Sequence, residues 1–347
     1  MQFQTALLIG RFQPVHNGHL ALLRHALQVA RYVIVVVGSA HQPRSPKNPF
    51  TWQERAAMLR ASLSAPEQAR VRVLPVRDYY DLPRWVQAVH SGVAALAGPL
   101  PAGERMGLVG HFKDASSSYL RSFPDWELVS LERQGSMDAT PIRDAYLGST
   151  HDEVTTALAP FSEGLPPSTL AFLHEFSATA DAATLRQEWQ MLRGYRQAWA
   201  AAPYPPVFVT VDALVCCQGQ VLLIQRGRAP GQGLWALPGG FVEPRDTLWQ
   251  SCLRELAEET HCMLPEDAWR TALQQVQVFD HPDRSQRGRT ITHVHQFDLG
   301  TMPLPAVQAD DDAAAVRWVP VADLPGMEAQ LFEDHFHILN RLLNLGA

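Results

Sequence analysis

The sequence predicts an α/β chain of two domains, the first a parallel sheet with flanking helices and the second a mixed α/β domain. Three observations carry this reading. Short apolar runs alternate with helical patterns from residue 5 to about 130. After residue 207 the texture changes to β-branched runs around one strong helix. Between the two lies Ala201-Ala202-Pro203-Tyr204-Pro205-Pro206, a semi-rigid linker by composition. At 347 residues, 46% of them hydrophobic, the chain also holds enough apolar material for two cores. The expected organisation is therefore 1–200, with a helical C-terminal part, a linker at 201–206, and a second domain at 207–347.

The strands of the first domain are the apolar runs 7–9, 33–37, 71–76, 106–109 and 128–131. Amphipathic stretches near 19–31, 52–63, 83–97 and 115–121 separate them, and such alternation reads as parallel strands joined by helical crossovers. Ligands in these folds sit at the carboxyl ends of the strands, where Gly10, Gly38, Arg77-Asp78 and Gly110 fall. Residues 140–200 read as entirely helical. In the second domain the strands are expected at 207–215, 221–224, 276–279, 290–297 and 316–319, with the helix at 247–260.

Composition narrows the function. The net charge of −6 argues against a nucleic-acid partner, which would require a basic face, but leaves room for a locally positive pocket taking small anions. No basic leader and no apolar stretch near 18 residues is present, so neither secretion nor a membrane partner is expected. Cys216, Cys217, Cys252 and Cys262 lack the spacing of a disulfide framework or a zinc site, which fits a reducing cytoplasm. The oligomeric state, a homo-oligomer included, stays open.

The stretch GRFQPVHNGHL, residues 10–20, stands where an apolar strand gives way to a helix. Helix N-termini carry unpaired N–H groups and partial positive charge, so an anion is the natural guest and a nucleotide phosphate the expected one. His16 and His19 lie one helical turn apart and can face the same phosphate chain, while Gly18 lets the backbone approach. The string resembles the GRFxPxHxGH signature of the nucleotidylyltransferase superfamily. GSAHQPRSPKNPFTWQER (38–55), PVRDYYDLPRW (75–85), VGHFKDASSSYL (109–120) and DATPIR (138–143) resemble archaeal-type nicotinamide mononucleotide (NMN) adenylyltransferases.

That resemblance implies a Rossmann-like nucleotidylyltransferase domain in which the NMN phosphate attacks the α-phosphorus of ATP and expels pyrophosphate. The implied ATP site is Gly10, Arg11, Phe12, His16, Gly18, His19, Gly110, Thr140 and Arg143, with Arg11, His16, His19 and Arg143 as its catalytic members. Lys47 would meet the NMN phosphate, and Asp78 with Trp85 the nicotinamide amide and ring. The last motif departs from the family: Asp138 and Ala139 stand where Ser and Gly are usual.

The segment GGFVEPRDTLWQSCLRELAEETHCML, residues 239–264, places Arg254, Glu255, Glu258 and Glu259 on one helix. Adjacent carboxylates repel one another, and a hard divalent cation would neutralise them. The segment resembles the Nudix box, Gx5Ex7REUxEExGU with U aliphatic, through Gly240, Arg254, Glu255, Leu256, Glu258 and Glu259. Asp246 stands where the box has Glu, and His261 where it has a glycine that ends the helix in a left-handed conformation. The resemblance implies a Nudix α/β/α sandwich in which Glu255, Glu258 and Glu259 ligate metal and Arg254 orients one of them. A carboxylate from Asp310, Asp311 or Asp312 would serve as base or further ligand.

Taken together, the halves resemble bacterial bifunctional NMN adenylyltransferase/Nudix hydrolases. This implies ATP, NMN and ADP-ribose as substrates, with Mg²⁺, or Mn²⁺ in its place, serving both domains. Two alternatives remain at this level: an acceptor such as pantetheine phosphate for the first domain, and a non-hydrolytic ligand sensor for the second.

Overall fold

The structure, a computed structural model, describes residues 1–98, 105–110, 115–131 and 138–346. Part of the 109–120 segment, residues 111–114, lies outside the described residues. The chain forms two compact units, Met1–Trp189 and Gln190–Ala347.

In the first unit the elements run β1 (Phe3–Gly10), α1 (Asn17–Val29), β2 (Ala30–Val37), α2 (Trp52–Ala61), α3 (Ala65–Gln68), β3 (Val71–Pro75), α4 (Leu82–Ala97), β4 (Gly107–Gly110) and β5 (Glu127–Ser130). The helices α5 (Ala139–Leu147), α6 (Val154–Leu158), α7 (Pro167–Ser177) and α8 (Ala180–Ala198) follow, and α8 crosses into the second unit. A 3-10 helix occupies Ala115–Ser122.

All five strands are parallel, in the order β3-β2-β1-β4-β5. Successive residues of each strand serve opposite faces. Leu8, Val33, Val35, Val37 and Val109 pack with the α1 and α2 side chains Leu23, Leu27, Met58 and Leu59. Leu7, Ile34, Val36 and Leu108 pack instead with Val89 and Val93 of α4 and with Phe123. A sheet buried on both faces explains why its strands read as unbroken apolar runs. The order reverses between β1 and β4, so their carboxyl ends, at Gly10 and Gly110, form the crevice where such sheets bind ligands.

The second unit contains β6 (Val207–Cys217), β7 (Gln220–Arg226), β8 (Trp235–Ala236), β9 (Gly239–Phe241), α9 (Leu248–Thr260), α10 (Glu266–Ala272), β10 (Leu273–Phe279), β11 (Arg289–Asp298), β12 (Ala313–Pro320) and α11 (His335–Leu343). The main sheet runs β10-β11-β6-β7-β12, with β8 on β7 and β9 on β6. Among the described residues of this unit only the β6–β11 strand pair is parallel, Val211 standing opposite His293. Helix α9 lays Cys252 and Leu256 on Val211, Ala213 and Val215.

The strands β8 and β9 and the helices α10 and α11 were not in the sequence reading. The first two have two and three residues, too few for any alternation to show. Helix α10 has only seven residues. Among the described residues no helix is long and apolar enough to cross a membrane.

Candidate active sites

In the first unit the apolar strand β1 ends at Gly10 and the chain turns through Phe12, a non-glycine residue with φ 55° whose ring is buried. His16 then caps α1 in an extended conformation, φ −137°. The two imidazoles are stacked, with ring centroids 3.7 Å apart, and Phe12 meets His19 edge-on at 4.9 Å. The His16 backbone N–H donates to His19 Nδ1 at 3.2 Å. A neutral His19 accepting at Nδ1 carries its proton on Nε2, leaving a donor on the far side of the ring. A side chain at position 18 would bring its Cβ to 3.0 Å from the His16 ring, so Gly18 keeps that side of the ring uncrowded.

Three arginines gather at these strand ends. Arg11 is exposed, while Arg143 is buried and donates to the Gln13 carbonyl at 2.7 Å and to Thr140 Oγ1 at 3.0 Å. Arg55, 1% exposed, donates to the carbonyls of Arg11 (2.6 Å), Gly38 (2.7 Å), Ser39 (3.1 Å) and Thr51 (3.2 Å). Burial first, and the nearby charge of Arg11 with it, pulls Arg55 and Arg143 each down to about 10. Mutual repulsion among cations in a crevice favours an anionic guest. The sequence reading did not single out Arg55. Its one signal was an arginine on the same helix face as Ala56, Met58 and Leu59, all of them buried.

The loop between β2 and α2 is held against this crevice by the amide of Gln13. Gln13 Nε2 donates to the Phe50 carbonyl at 2.8 Å, and the Phe50 N–H donates back to Oε1 at 3.0 Å. Half-buried Lys47 lies in that loop. Asp78 sits beyond β3, where its Oδ2 accepts from Ser39 Oγ at 2.7 Å and from Gln42 Nε2 at 3.2 Å. Trp85, near the start of α4, is half-buried and meets Tyr119 and Phe123 edge-on, each at 5.7 Å. Asp138 stands at the N-cap of α5, a position that favours a carboxylate, and Ala139 is the first helical residue.

In the second unit Thr247 caps α9 and its hydroxyl accepts the Gln250 N–H at 3.2 Å. Arg254 is the hub of the helix face: it reaches Glu258 at 2.7 Å, Glu255 at 3.0 Å and Asp246 at 3.3 Å. The shorter Asp246 thus still reaches the arginine. Glu259, 4% exposed, accepts the Gly239 N–H at 2.8 Å. Its carboxyl is pushed up to about 8 by burial and by the neighbouring Glu255 and Asp212, against the pull of that N–H and of Arg226. Glu255 is also raised, by burial first and by Glu258 and Asp311. A Cβ on residue 240 would lie 2.6 Å from the Glu255 carboxylate, so Gly240 is what lets that side chain lie against β9.

Among the described residues no three His, Cys, Asp or Glu side chains converge as a ready metal-holding group, and Arg254 donates to Glu258 at 2.7 Å. The donor chemistry nonetheless fits a hard divalent cation. Glu255 and Glu259 are oxygen donors that burial and mutual repulsion hold up, a cost that a cation relieves. His261 does adopt the left-handed conformation, φ 50°, and its Nε2 lies 2.9 Å from Asp310 Oδ2. In the late loop Asp312 pairs with Arg228 at 2.8 Å, and Asp311 is the member whose charge bears on Glu255.

Residues 7–74 match the Cytidylyltransferase-like family and residues 207–342 the NUDIX domain family. The chain is 38% identical over 190 residues to a nicotinamide/nicotinic acid mononucleotide adenylyltransferase of Acinetobacter baylyi, covering 54% of this chain and 95% of that protein. It is 34% identical over 131 residues to an ADP-ribose pyrophosphatase of Methanocaldococcus jannaschii, covering 38% of this chain and 70% of that one. A crystal structure of a bifunctional NMN adenylyltransferase/ADP ribose pyrophosphatase from Francisella tularensis, complexed with AMP and Mn ion, matches over 99% of both chains, with TM-score 0.88 and 34% identity. Parallel crevice, histidine pair, glutamate helix and full-length likeness agree, and the chain belongs to the bifunctional NMN adenylyltransferase/ADP-ribose pyrophosphatase family.

Proposed function

We propose that the first unit transfers AMP from ATP to NMN, giving NAD and pyrophosphate. The observation that carries it is the stacked His16–His19 pair at the start of α1, beside Arg11, Arg55 and Arg143. An NMN phosphate oxygen bonds to the α-phosphorus of ATP while the bond to the β-phosphate oxygen breaks, with no covalent enzyme intermediate. His19 Nε2, Arg11 and Arg143 stabilise charge building on the departing pyrophosphate. Thr140 adds a hydroxyl at a helix start. Lys47 meets the NMN phosphate, Asp78 accepts from the carboxamide, and Trp85 offers a ring face.

The second unit hydrolyses ADP-ribose to AMP and ribose 5-phosphate. Glu255, Glu258 and Glu259 would hold the cation, and Asp311 is the late-loop carboxylate. Mg²⁺ or Mn²⁺, when bound, neutralises phosphate charge in both units and activates the attacking water in the second. In the first unit it would arrive with the triphosphate of ATP. The two activities reside in separable pieces, 1–200 and 207–347, and the absence of disulfides among the four cysteines fits a cytoplasmic setting.

Product analysis of the full chain with Mg²⁺ tests the reading. ATP with NMN should give NAD and pyrophosphate, while ATP with pantetheine phosphate gives no adenylylated product. ADP-ribose should give AMP. Binding of ADP-ribose without cleavage would instead make the second unit a sensor.

A further inference from the structure

Gln13 has no role in the chemistry proposed for the first unit, yet it bonds to residues assigned to both substrates' surroundings. It lies between Phe12 and the His16 cap of α1 and is 2% exposed. Its side-chain amide pairs with both main-chain groups of Phe50, at 2.8 and 3.0 Å, much as one strand residue pairs with another. Its own carbonyl accepts from Arg143 Nη1 at 2.7 Å, while Arg143 Nη2 donates to Thr140. One residue thus holds the loop between β2 and α2 with its side chain and the arginine assigned to the triphosphate with its main chain.

These attachments close into a circuit. Phe50 packs on Tyr146 of α5, ring centroids 6.2 Å apart, and edge-on against Phe172 and Phe176 of α7, each at 5.3 Å. Tyr146 and Arg143, both buried, are one turn apart on α5 and share a face. The path from Gln13 through Phe50 and Tyr146 therefore returns by Arg143 to Gln13. The loop itself is equally constrained. Ser45 and Asn48 exchange main-chain hydrogen bonds of 3.2 and 3.0 Å, so Pro46 and Lys47 form a two-residue turn. Arg44 donates to the Pro49 carbonyl at 2.8 Å and forks onto Glu54 at 2.7 and 2.8 Å. Asn48, Pro49 and Phe50, which follow Lys47, are all buried. A short closed segment in a dense interior transmits a displacement at Phe50 to Lys47 instead of absorbing it.

From this circuit we infer that Gln13 is a positioning residue of the adenylyl transfer: its amide holds Lys47, and with it the NMN phosphate, in register with the Arg143 that its carbonyl orients. The inference rests on the reading of Lys47 as the NMN phosphate contact and of Arg143 as a triphosphate contact. A primary amide presents a donor and an acceptor side by side, which the two main-chain groups of Phe50 require. In-line attack tolerates misplacement of less than about 1 Å, so slack at Phe50 shows in NMN binding and in turnover, not in ATP binding.

The test compares the full-length wild type with Gln13→Met, Lys47→Ala and the double variant. Gln13→Met keeps the side-chain length without the N–H or the carbonyl. It should raise KM for NMN roughly ten-fold, the weight of one to two hydrogen bonds, with KM for ATP nearly unchanged and ADP-ribose cleavage unaltered. Lys47→Ala should also raise KM for NMN, and adding Gln13→Met to it should change little further, because both act through one contact. An unchanged KM for NMN in Gln13→Met beside a raised one in Lys47→Ala overturns the proposal. Equal rises for NMN and ATP, which mark a structural role, overturn it too, as does a full further increment in the double variant. An unchanged KM in Lys47→Ala overturns the reading of Lys47, and the proposal with it. Gln13→Glu supplies a second readout. Its ionised carboxylate repels the Phe50 carbonyl, whereas the protonated acid again offers a donor and an acceptor. Its KM for NMN, divided by that of the wild type at the same pH, should fall as the pH is lowered from about 8.5 to about 6. A ratio independent of pH overturns the proposal even where Gln13→Met is too unstable to assay. If the wild type forms no NAD, the proposed function fails separately, and calorimetric titration of the same proteins with NMN applies the same comparison to Kd.

Discussion

Arg55 Nη1 donates to the main-chain carbonyl of Arg11 at 2.6 Å, so one buried guanidinium fixes the segment that carries an exposed one. The same nitrogen bonds Gly38 at the end of β2, which ties two strand ends into a single wall of the crevice. Lysine in this place keeps the charge but cannot fork across four carbonyls. Arg55→Lys should lower the adenylylation rate at least ten-fold and the thermal midpoint of the first unit. Arg55→Met should cost ~2 kcal/mol or more, because buried carbonyls lose their donors. Steady-state kinetics and thermal melts of both variants check this.

Trp85 has two duties that can be separated. Its ring packs edge-on against Tyr119 and Phe123, so Trp85→Ala should destabilise the first unit as well as weaken NMN binding. Trp85→Phe keeps a ring against those partners and should stay within ~1.5 kcal/mol of the wild type. KM for NMN should nonetheless rise several-fold, with KM for ATP unchanged. Equal effects on the two substrates would reduce Trp85 to packing.

His335 gives the second unit a pH dependence of known sign. Burial holds its imidazole down to about 3 against the pull of Asp334, with Arg284, Arg226 and Arg287 adding to the depression and Asp212 4.0 Å away. Its Nδ1 accepts the Leu237 N–H at 3.0 Å, which needs the neutral ring. The unfolded chain takes up this proton near the ordinary value of 6.5 and the folded chain does not, so stability falls as pH drops between 6.5 and about 3. His335→Gln removes the titration and keeps an acceptor. Urea unfolding at pH 7.5 and 5.0 should show the wild-type advantage over this variant shrinking by roughly 2 kcal/mol, from ~1.4 kcal/mol per pH unit over the acidic part of that interval. An advantage independent of pH would contradict the assignment.

His261 occupies a left-handed position at the end of α9. Glycine there releases about 1 kcal/mol of backbone strain, while the contact with exposed Asp310 contributes little at the surface. His261→Gly should raise the melting temperature of the second unit by about 2–4 °C with hydrolysis retained. His261→Ala, which keeps the strain and loses the ring, should lower it.

Much of this architecture is legible in the amino-acid sequence. The β1–α1 junction was readable because an apolar strand, a tight turn and a helix start leave strong local marks, and the glutamate helix because its spacing is periodic. Arg55 escaped notice because its partners are main-chain carbonyls on other elements, and nothing in the sequence marks a carbonyl as waiting for a cation. The hub role of Arg254 was visible only as the orientation of one glutamate. Its reach to Asp246 depends on how the loop before α9 folds back.

The central claim is that one chain holds two independent sites. It is tested most directly by assaying His19→Ala and Glu259→Gln side by side, each with ATP plus NMN and, separately, with ADP-ribose, in the presence of Mg²⁺. His19→Ala should lose about 10²-fold or more of NAD synthesis, the usual weight of a preorganised donor on developing charge, and keep full ADP-ribose cleavage. Glu259→Gln should show the reverse, its fold intact by circular dichroism. Loss of both activities in either variant, or wild-type NAD synthesis in His19→Ala, would contradict the account.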